Sequence, residues 1–391
     1  MNASSNPTSK VPQAESRLPG VGLSIFAVMS QKAAAHGALN LAQGFPDFEP
    51  PPALRQRVAE HLESGHNQYA PMPGLPRLRE AIAAKTQRVY GVSVDAETQV
   101  TVTTGATEAL FAAFQALVHP GDEVILFDPA YDAYDPAVRL AGGTPVHIPL
   151  RPPDYAVDWQ RVRDNLSERT RVIAINSPHN PAGSLLSRDD LVELETIVER
   201  SGAFVISDEV YEHIVFDGGR HVSALELPSL RQRSLVISSF GKTYHATGWK
   251  LGYCVAPPAL SWELRKLHQF ITFCVNMPIQ HAYADFLEHE HYYRELGAFY
   301  QQKRDHFARA VADSRFGVLP CRGTYFQLLD YSAISDEDDV SFVERLLREH
   351  GVAAIPVSAF HADGADHRVL RMCFAKDEAT LDQAGERLCA I

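Results

Sequence analysis

The chain has 391 residues, of which 45% are apolar and 21% charged, so it is long enough for one large globular domain and a smaller one. The formal net charge of −12, without a long basic run, argues against a nucleic-acid partner and against an anionic membrane surface, because both bind basic patches. A polar N-terminus, the lack of a membrane-spanning apolar run and five widely spaced cysteines without a CxxC pair predict a cytoplasmic protein with neither a disulfide framework nor a metal site.

The predicted elements alternate from about residue 98 onward. Short apolar runs predict strands at 99–104, 124–127, 171–176, 204–207, 234–239 and 253–256. Amphipathic patterns predict helices at 107–118, 187–200 and 260–270. Several of the strand runs are apolar throughout, which is typical of a sheet buried on both faces. The pattern therefore predicts an α/β fold with a mainly parallel sheet.

Residues after about 290 change in character and predict a smaller α+β domain. Helices are expected at 292–313 and 339–350, around short strands near 324–329 and 369–374. The expected division is an N-terminal arm belonging partly to the small domain, a large domain and a small C-terminal domain, at 1–45, 46–290 and 291–391.

Polar motifs follow at least four of the predicted strands directly. These motifs read TTGATE, DPAY, NSPHNPAG and SDEVY, and a fifth, SFGKTYH, follows the run at 236–238. In parallel α/β sheets, ligands bind beyond the carboxyl ends of the strands. We therefore expect these motifs to meet in one site.

Lys242 lies in the most informative segment, SSFGKTYHATGWKLGY at 238–253. A lone lysine in a loop is usually a surface residue. Here a hydroxyl at Ser239, a second cation at Lys250 and two glycines favour a site for a phosphate and an aldehyde. Burial or a nearby cation lowers the pKa of a lysine, and the neutral amine then forms a Schiff base with an aldehyde cofactor.

Asp208 and Tyr211 lie in SDEVYEH, immediately after a predicted buried strand. The segment is equally compatible with an ordinary acidic loop, a magnesium ligand or a ribose contact. With Lys242 nearby in the fold, we favour Asp208 as the partner of a pyridinium nitrogen, which keeps the ring able to accept electrons. Tyr211 would then donate to the phenolate oxygen of that ring.

The remaining motifs carry weaker signals. NSPHNPAG can be a plain proline-rich turn, but the prolines also hold Asn180 rigid enough to bond the phenolate oxygen. TTGATE predicts an anion site at a helix N-terminus, where Gly105 permits close approach, although Thr107 can be a simple N-cap. Tyr131 is either a core aromatic or a residue that stacks on a flat ring.

Together these motifs resemble those of the class I aminotransferases of pyridoxal-phosphate fold type I. The similarity extends from LAQGFPDFE at 41–49 to VLRMCFAKDE at 369–378, and SFGKTYHATGWKLGY is highly specific. The group that the chain resembles most is the bacterial methionine aminotransferases, with the kynurenine aminotransferases as near relatives. The resemblance implies a seven-stranded sheet of the aspartate aminotransferase type in the large, cofactor-binding domain, and pyridoxal 5'-phosphate as cofactor.

The resemblance also implies a role for each matching residue. Lys242 would be the Schiff-base lysine and proton shuttle, Asp208 the ring-nitrogen partner, and Tyr211 and Asn180 the contacts of the phenolate oxygen. The phosphate would be held by Gly105, Ala106, Thr107, Ser239 and Lys250, with Tyr131 stacked on the ring. Tyr69 would reach the phosphate of a neighbouring subunit, which implies a homodimer. The substrate would be bound by Gly44, Asn180 and Arg371, whose planar fork suits a carboxylate.

One departure from the family pattern lies at Lys250, where many class I members have arginine. A lysine neutralises a phosphate only as a point charge, without the bidentate fork of arginine. The expected reaction moves the amino group of methionine, and of aromatic or other large apolar amino acids, to a 2-oxo acid. The alternative is a pyridoxal-phosphate-dependent β-lyase that acts on S-substituted cysteines. A cofactor-binding sensor is disfavoured because an acidic chain with little sequence before residue 41 offers no DNA-binding module.

Overall fold

The computed structural model describes residues 14–391, so residues 1–13 of the expected N-terminal arm lie outside the described part of the chain. The strands are β1 (Leu39–Asn40), β2 (Val100–Thr103), β3 (Glu123–Asp128), β4 (Thr144–Pro149), β5 (Thr170–Asn176), β6 (Phe204–Asp208), β7 (Ser234–Ser239), β8 (Gly252–Val255), β9 (Gly317–Val318), β10 (Phe326–Asp330), β11 (Val352–Ala353), β12 (Ile355–Pro356) and β13 (Val369–Cys373). The α-helices are α1 (Ile25–His36), α2 (Pro52–Glu63), α3 (Pro76–Tyr90), α4 (Gly105–Leu117), α5 (Tyr134–Leu140), α6 (Trp159–Asp164), α7 (Arg188–Ser201), α8 (Pro228–Arg231), α9 (Phe240–Thr243), α10 (Pro258–Ile271), α11 (Met277–Phe286), α12 (His291–Arg294), α13 (Leu296–Ala310), α14 (Asp339–His350) and α15 (Glu378–Cys389). Short 3-10 helices lie at Ala224–Glu226, Thr247–Trp249 and Val357–Phe360. Within residues 14–391, none of the helices has the length and apolar character needed to cross a membrane.

Seven strands form one sheet in the order β2-β8-β7-β6-β5-β3-β4. Its strands are parallel except for β8, which runs antiparallel to both β2 and β7. The predicted mainly parallel seven-stranded sheet is therefore confirmed. The strand that the apolar pattern does not show is β4, which lies at the edge and contains Pro145 and Pro149. Proline is tolerated there because an edge strand leaves some of its N–H positions outside the ladder.

Both faces of this sheet are buried. Along β3, Val124 and Leu126 belong to one hydrophobic core, whereas Ile125 and Phe127 belong to another on the opposite face. The first core is covered by α4 and α10, and the second by helices that include α3, α7 and α11. This burial explains why the strand sequences are apolar throughout instead of alternating.

Helix α4 begins at Gly105, two residues before the predicted start at 107, so Thr107 is not the N-cap residue. The N-cap position is Thr104, whose side chain makes no capping hydrogen bond. The first backbone N–H groups of a helix have no intrahelical partner. At α4 they remain available at the carboxyl edge of the sheet.

A third hydrophobic core combines residues of α1 with the C-terminal part of the chain. Its β-structure is an antiparallel sheet in the order β12-β13-β10-β9 and a parallel pair of β1 with β11. The predicted helix at 292–313 is divided into α12 and α13, which meet at Glu295. After this break, Gly297 packs so closely on the chain that a Cβ there would lie 2.7 Å from the carbonyl oxygen of Val215.

Candidate active site

A pocket of about 400 Å³ lies at the carboxyl edge of the parallel strands, where the third core packs against the seven-stranded sheet. The sequence-predicted residues that line it are Gly44, Gly105, Ala106, Thr107, Tyr131, Asn180, Asp208, Tyr211, Ser239, Lys242, Lys250 and Arg371. Tyr69 does not line this pocket. Its side chain is 82% exposed and packs edge-on against Phe273, with ring centroids 5.3 Å apart.

Lys242 projects into the pocket from α9, the short helix that follows β7. Its Nζ donates to the hydroxyl of Tyr325 at 2.7 Å and to the carbonyl of Gly44 at 3.4 Å. Burial lowers the pKa of Lys242 to about 8, and the nearby positive charges of Lys250 and Arg371 act in the same direction. The amine is therefore partly neutral near pH ~7.5, the state in which a lysine is a nucleophile and a base.

Asp208 ends β6 and is buried on the floor of the pocket. Its carboxylate accepts a hydrogen bond from the hydroxyl of Tyr134 at 2.6 Å and one from the backbone N–H of Val210 at 3.3 Å. Within residues 14–391 it has no cationic hydrogen-bond partner. Burial raises the pKa of Asp208 to about 6, although the hydrogen bond from Tyr134 lowers it. Such a buried acid would be strongly stabilised in its ionised form by a cationic ligand.

Backbone conformation brings Lys250 to the N-terminus of α4. Gly105 has φ +72° and Lys250 has φ +52°, and a Cβ on Gly105 would lie 3.4 Å from the Lys250 Nζ. A Cβ at Gly252 would lie 2.8 Å from the backbone nitrogen of Ala106, so this strand start requires glycine. The hydroxyl-bearing Ser239 lines the same pocket. Free N–H groups, the helix dipole and a lysine together favour an anion here.

Arg371 is almost fully buried in β13, at the side of the pocket formed by the antiparallel sheet. Its Nη1 donates to Asn180 Oδ1 at 2.9 Å and its Nη2 donates to the carbonyl of Ala42 at 2.9 Å, while its buried Nε has no partner within residues 14–391. The guanidinium lies 3.9 Å from the ring centroid of Phe326 and 4.9 Å from that of Phe26. Burial lowers the pKa of Arg371 to about 10, so the side chain is still a cation at neutral pH.

Asn180 is held by a chain of amide hydrogen bonds. Its backbone N–H donates to Asn176 Oδ1 at 2.8 Å, and Asn176 Nδ2 donates to the carbonyl of Asp208 at 2.9 Å. Because Asn180 Oδ1 already accepts from Arg371, its orientation is fixed and its amide NH₂ is the group left for a ligand. Through Asn176 and Asn180, the proline-flanked motif therefore links the backbone of Asp208 to the side chain of Arg371 by hydrogen bonds.

Tyr211 and Tyr325 pack edge-on, with ring centroids 5.2 Å apart. The Tyr325 hydroxyl donates to the carbonyl of Gly44 at 2.7 Å. A Cβ on Gly44 would lie 2.7 Å from the Phe326 ring, so glycine is needed at this contact. Burial raises the pKa of Tyr211 far above its ordinary value, which keeps its hydroxyl protonated and able to donate.

Sequence reasoning missed Tyr134 and Tyr325, which contact Asp208 and Lys242. Tyr134 is the second tyrosine of DPAYDAYDP, a motif whose first tyrosine, Tyr131, is the predicted site residue. Tyr325 lies inside the strand predicted near 324–329 and so resembles a core aromatic. The signal for Tyr134 was its position after a strand, in the same motif as Tyr131, whereas nothing in the local pattern marks Tyr325.

These side chains fit pyridoxal phosphate, the cofactor implied by the sequence resemblance. A partly neutral lysine suits its aldehyde, and a buried carboxylate without a cation suits its ring nitrogen. The N-terminus of α4 beside Lys250 suits its phosphate. The pocket thus offers one matching group for each polar part of the cofactor.

The chain is similar to proteins of known family. The family model for aminotransferase class I and II matches residues 37–388. The chain is 54% identical to a methionine aminotransferase of Escherichia coli (strain K12) over 375 residues, 96% of this chain and 97% of that protein. It is 34% identical to human kynurenine–oxoglutarate transaminase 1 in an alignment of 409 positions that covers 95% of this chain and 96% of the human one.

Solved structures agree with these sequence matches. The superposition on a crystal structure of an Escherichia coli methionine aminotransferase has a TM-score of 0.95 and 53% identity. It covers 98% of this chain and 100% of the Escherichia coli chain. The N-succinyldiaminopimelate aminotransferase of Mycobacterium tuberculosis covers 97% of this chain and 100% of its own, with a TM-score of 0.93 and 40% identity. The matches favour amino transfer over the alternative β-lyase reaction. The chain therefore belongs to the class I and II aminotransferases and is a pyridoxal-phosphate-dependent transaminase.

Proposed function

We propose that this transaminase takes the amino group from methionine, and from aromatic and other large apolar L-amino acids, and passes it to a 2-oxo acid. The observation that carries this choice is the distribution of positive charge in the pocket. Among its described lining residues, the cations are Lys242, Lys250 and Arg371. Lys250 lies at the helix N-terminus and Lys242 at the pocket floor, which leaves Arg371 as the one cation for a substrate carboxylate.

The walls around Arg371 are apolar. Phe26 and Phe326 lie against the guanidinium, and Phe45, Leu110 and Val210 also line the pocket. A dicarboxylic donor would place its second charge against these side chains, without an ion pair in the described pocket. A thioether or an aromatic ring would be favoured there by burial, and an apolar wall separates similar side chains by only ~1–3 kcal/mol per methylene.

Pyridoxal phosphate, when bound, supplies the aldehyde that receives the amino group and the ring that takes up electrons. Lys242 Nζ would remove the α-proton of the donor and deliver it to the carbon of the cofactor's aldehyde group. Its pKa of about 8 makes Nζ both a base and an acid near neutral pH. Tyr325 and the Gly44 carbonyl, which contact Nζ, would hold the amine when it is not covalently engaged.

The ring would be held at three points. Asp208 would hold the proton on the ring nitrogen, and the Tyr134 hydroxyl would fix the orientation of that carboxylate. Tyr211 and the NH₂ of Asn180 would donate to the phenolate oxygen. Tyr131 would stack on the ring face. The buried position of these groups supports the assignment, because water is then excluded from the hydrogen bonds.

The phosphate would lie against Gly105, Ala106 and Thr107, with Ser239 and Lys250 as further donors. Gly44, Asn180 and Arg371 would bind the substrate carboxylate. The Arg371 Nε, which has no hydrogen-bond partner among residues 14–391, supports this position. Tyr69 would reach the phosphate in the partner subunit, so the enzyme would work as a homodimer in the cytoplasm. We keep the division at 1–45, 46–290 and 291–391 as the proposed domain organisation.

Donor preference tests the proposed substrate class. We expect kcat/KM to be higher for methionine and phenylalanine than for aspartate or glutamate. Arg371→Lys should lower kcat/KM for every donor by roughly 10- to 100-fold, because a charge-assisted hydrogen bond contributes about 1.5–3 kcal/mol. Arg368→Lys is the matched control, since Arg368 forms an ion pair with Asp336 outside the pocket. Faster turnover of aspartate than of methionine would contradict the substrate assignment.

Subunit mixing tests the proposed dimer. After exchange, a Lys242→Ala subunit and a Tyr69→Phe subunit should form heterodimers with one intact site and one doubly damaged site. Activity should therefore rise above that of either variant alone. An active monomer in sedimentation at working concentration would rule out the shared site.

A further inference from the structure

Three histidines form a cluster that the proposed reaction does not use. His61 lies near the end of α2, His66 follows that helix, and His281 lies in α11. Each is half-buried, and one ring nitrogen of each lies within 4.8 Å of the others. None of the three lines the pocket that holds Lys242.

Two of the three histidines are hydrogen-bonded to each other, with His66 Nδ1–H donating to His61 Nδ1, and the third faces them without a partner in the described chain. His61 Nε2 lies 2.9 Å from Asp285 Oδ2, so this nitrogen carries the proton and His61 Nδ1 carries a lone pair. That Nδ1 lies 3.0 Å from His66 Nδ1. His281 Nε2 is buried and has no hydrogen-bond partner within residues 14–391. An unpartnered buried nitrogen next to two other imidazoles is costly unless something binds there.

Asp285 is hydrogen-bonded to His61 in the way that a carboxylate often is to a metal-binding histidine. A histidine ligand usually donates its second N–H to a carboxylate, which fixes the tautomer and increases the basicity of the ligating nitrogen. Asp285 holds His61 in this way and also forms an ion pair with Arg77, which offsets the positive charge of that arginine next to the cluster.

We propose that His61, His66 and His281 bind one Zn²⁺ ion, with water at the fourth position. Three imidazoles without a thiolate suit zinc and neighbouring first-row metals, and not magnesium or calcium. Nitrogen ligands lie about 2.0–2.1 Å from zinc, so ligand atoms now within 4.8 Å of one another need only small side-chain rotations. His66 places its proton on Nε2 in the bound form, which replaces its contact with His61 by a bond to the metal. Closely spaced cysteine pairs, the usual sequence signal of a zinc site, are absent from this chain, and the three histidines come from two regions, at the end of α2 and in α11, that are distant in sequence, so no metal site is predicted from the sequence.

The ion would tie together two parts of the molecule. His61 and His281 lie on packed helices, whereas His66 lies in the segment that leads to Tyr69. Bound zinc would therefore fix the start of this segment to α11. The expected effect is on stability and on the position of Tyr69, and no step of amino transfer depends on it.

Zinc titration of the full-length holoenzyme tests the proposal, after removal of any affinity tag and free cofactor. We expect one Zn²⁺ per chain by calorimetry and by metal analysis after dialysis, together with a higher thermal unfolding midpoint. Stoichiometric binding should be lost in His66→Ala and in His281→Gln. Asp285→Asn should keep the site but weaken it by about 10–100-fold.

His289→Ala/His291→Ala is the matched control, because it removes two nearby exposed histidines outside the cluster. This variant should still bind one Zn²⁺ per chain. Unfolding midpoints measured without metal distinguish a folded variant that has lost its ligand from one that has not folded. Absence of stoichiometric zinc binding in the wild type would overturn the proposal. So would binding unchanged in both folded cluster variants, or binding lost in the control alone.

Discussion

Asp208 is the last residue of β6 and Glu212 follows it by four residues; both are buried, but their surroundings differ. The Glu212 carboxylate accepts from Lys85 Nζ at 2.5 Å and from the Tyr90 and Tyr253 hydroxyls, and Lys85 and Glu212 side chains are 3% and 4% exposed. Burial raises the pKa of Glu212, but the charge of Lys85 and the further interactions with His213 and Tyr90 together outweigh it and hold that pKa well below its ordinary value. In the described part of the chain, Asp208 has no cation hydrogen-bonded to it, and its pKa is raised.

The difference separates a structural charge from a functional one. The charges of Lys85 and Glu212 compensate each other inside the protein, so removing one of them should lower the free energy of unfolding. Lys242 and Asp208 have perturbed pKa values and no oppositely charged hydrogen-bond partner among the described residues, which is typical of catalytic groups. Substitutions at Lys242 or Asp208 should therefore lower mainly turnover, whereas substitutions at Lys85 or Glu212 should lower mainly stability.

The largest effect on turnover is expected for Lys242→Ala. Removing both the covalent link and the acid–base group should lower kcat by at least ~10²–10⁴-fold. The free energy of unfolding should change little, because Lys242 has no carboxylate partner in the described chain. Borohydride reduction followed by peptide mass spectrometry should place the cofactor on Lys242 in the wild type. Label on Lys250 instead would contradict the assignment.

The largest effect on stability is expected for Lys85→Met, which leaves Glu212 buried without its cation. Breaking such a pair costs ~3–5 kcal/mol, measured here as the free energy of unfolding in urea. Lys85→Met/Glu212→Gln should recover part of that loss, because neither charge then remains. If the stability lost in the double variant equalled the sum of the losses in Lys85→Met and Glu212→Gln, the two charges would not be coupled. Charge pairing would then not explain how this network stabilises the protein.

Asp208→Asn should affect turnover but not folding. If half to all of a ~3–5 kcal/mol buried pair is lost in the transition state, the rate falls by roughly 10- to 5,000-fold. The variant should still bind the cofactor, and the α-deuterium isotope effect on methionine turnover should increase. Asp208→Glu should keep more activity than Asn because it keeps the charge. Near wild-type turnover with an unchanged isotope effect in Asp208→Asn would remove Asp208 from the proposed mechanism.

The same substitution has a pH signature in the cofactor-free protein. A folded-state pKa of about 6 exceeds the ordinary value of 3.8, so the native state keeps the proton longer than the unfolded one. The contribution of Asp208 to stability should therefore decrease as the pH rises from about 4 to about 6. That decrease should be absent from Asp208→Asn, in contrast to any substitution at the Lys85–Glu212 pair.

The parallel sheet and the pocket residues at its strand ends could be predicted from local order, whereas Gly44 and the substrate role of Arg371 came only from the family resemblance. Lys242, Asp208 and Asn180 lie at or just after the ends of apolar strands, and the carboxyl ends of those strands meet at one edge. The partners of these residues were not predictable in the same way. Tyr134 is 74 residues from Asp208 and Tyr325 is 83 residues from Lys242, and an aromatic side chain in an apolar run gives no sign of where its hydroxyl points.

Strand β4 shows a related limit. Its two prolines conceal the strand in the sequence, and with it the position of His147. The imidazole of His147 lies between two carboxylates, with Nδ1 2.7 Å from Asp128 and Nε2 3.0 Å from Asp135. Like the Lys85–Glu212 pair, this cluster has partners for all its charges, so we expect it to influence stability and not turnover.

His147→Gln offers the smallest of the expected effects and the sharpest test of that expectation. Burial lowers the pKa of His147, but its hydrogen bonds to Asp128 and Asp135 outweigh it and raise the pKa to about 9. Because the folded-state pKa lies above the ordinary 6.5, the histidine stabilises the native state fully below about pH 6.5 and loses this contribution as the pH rises through about 9. Burial raises the pKa of Asp135, but its bonds to His147 and Arg139 lower it to about 2, so a second loss is expected only as the pH falls from about 4 towards 2.

The difference in unfolding free energy between wild type and His147→Gln should therefore be about 1–3 kcal/mol near pH ~6 and clearly smaller near pH ~10. Urea unfolding of both proteins in the same cofactor state gives this difference, in which the titration of other groups cancels. His119→Gln is the matched control, because His119 is 67% exposed beside Asp122 and surface ion pairs contribute little. A difference for His147→Gln that stays constant from about pH 6 to about pH 10 would mean that His147 is neutral in the fold, and the contrast between partnered and unpartnered buried charges would then rest on Lys85 and Glu212 alone.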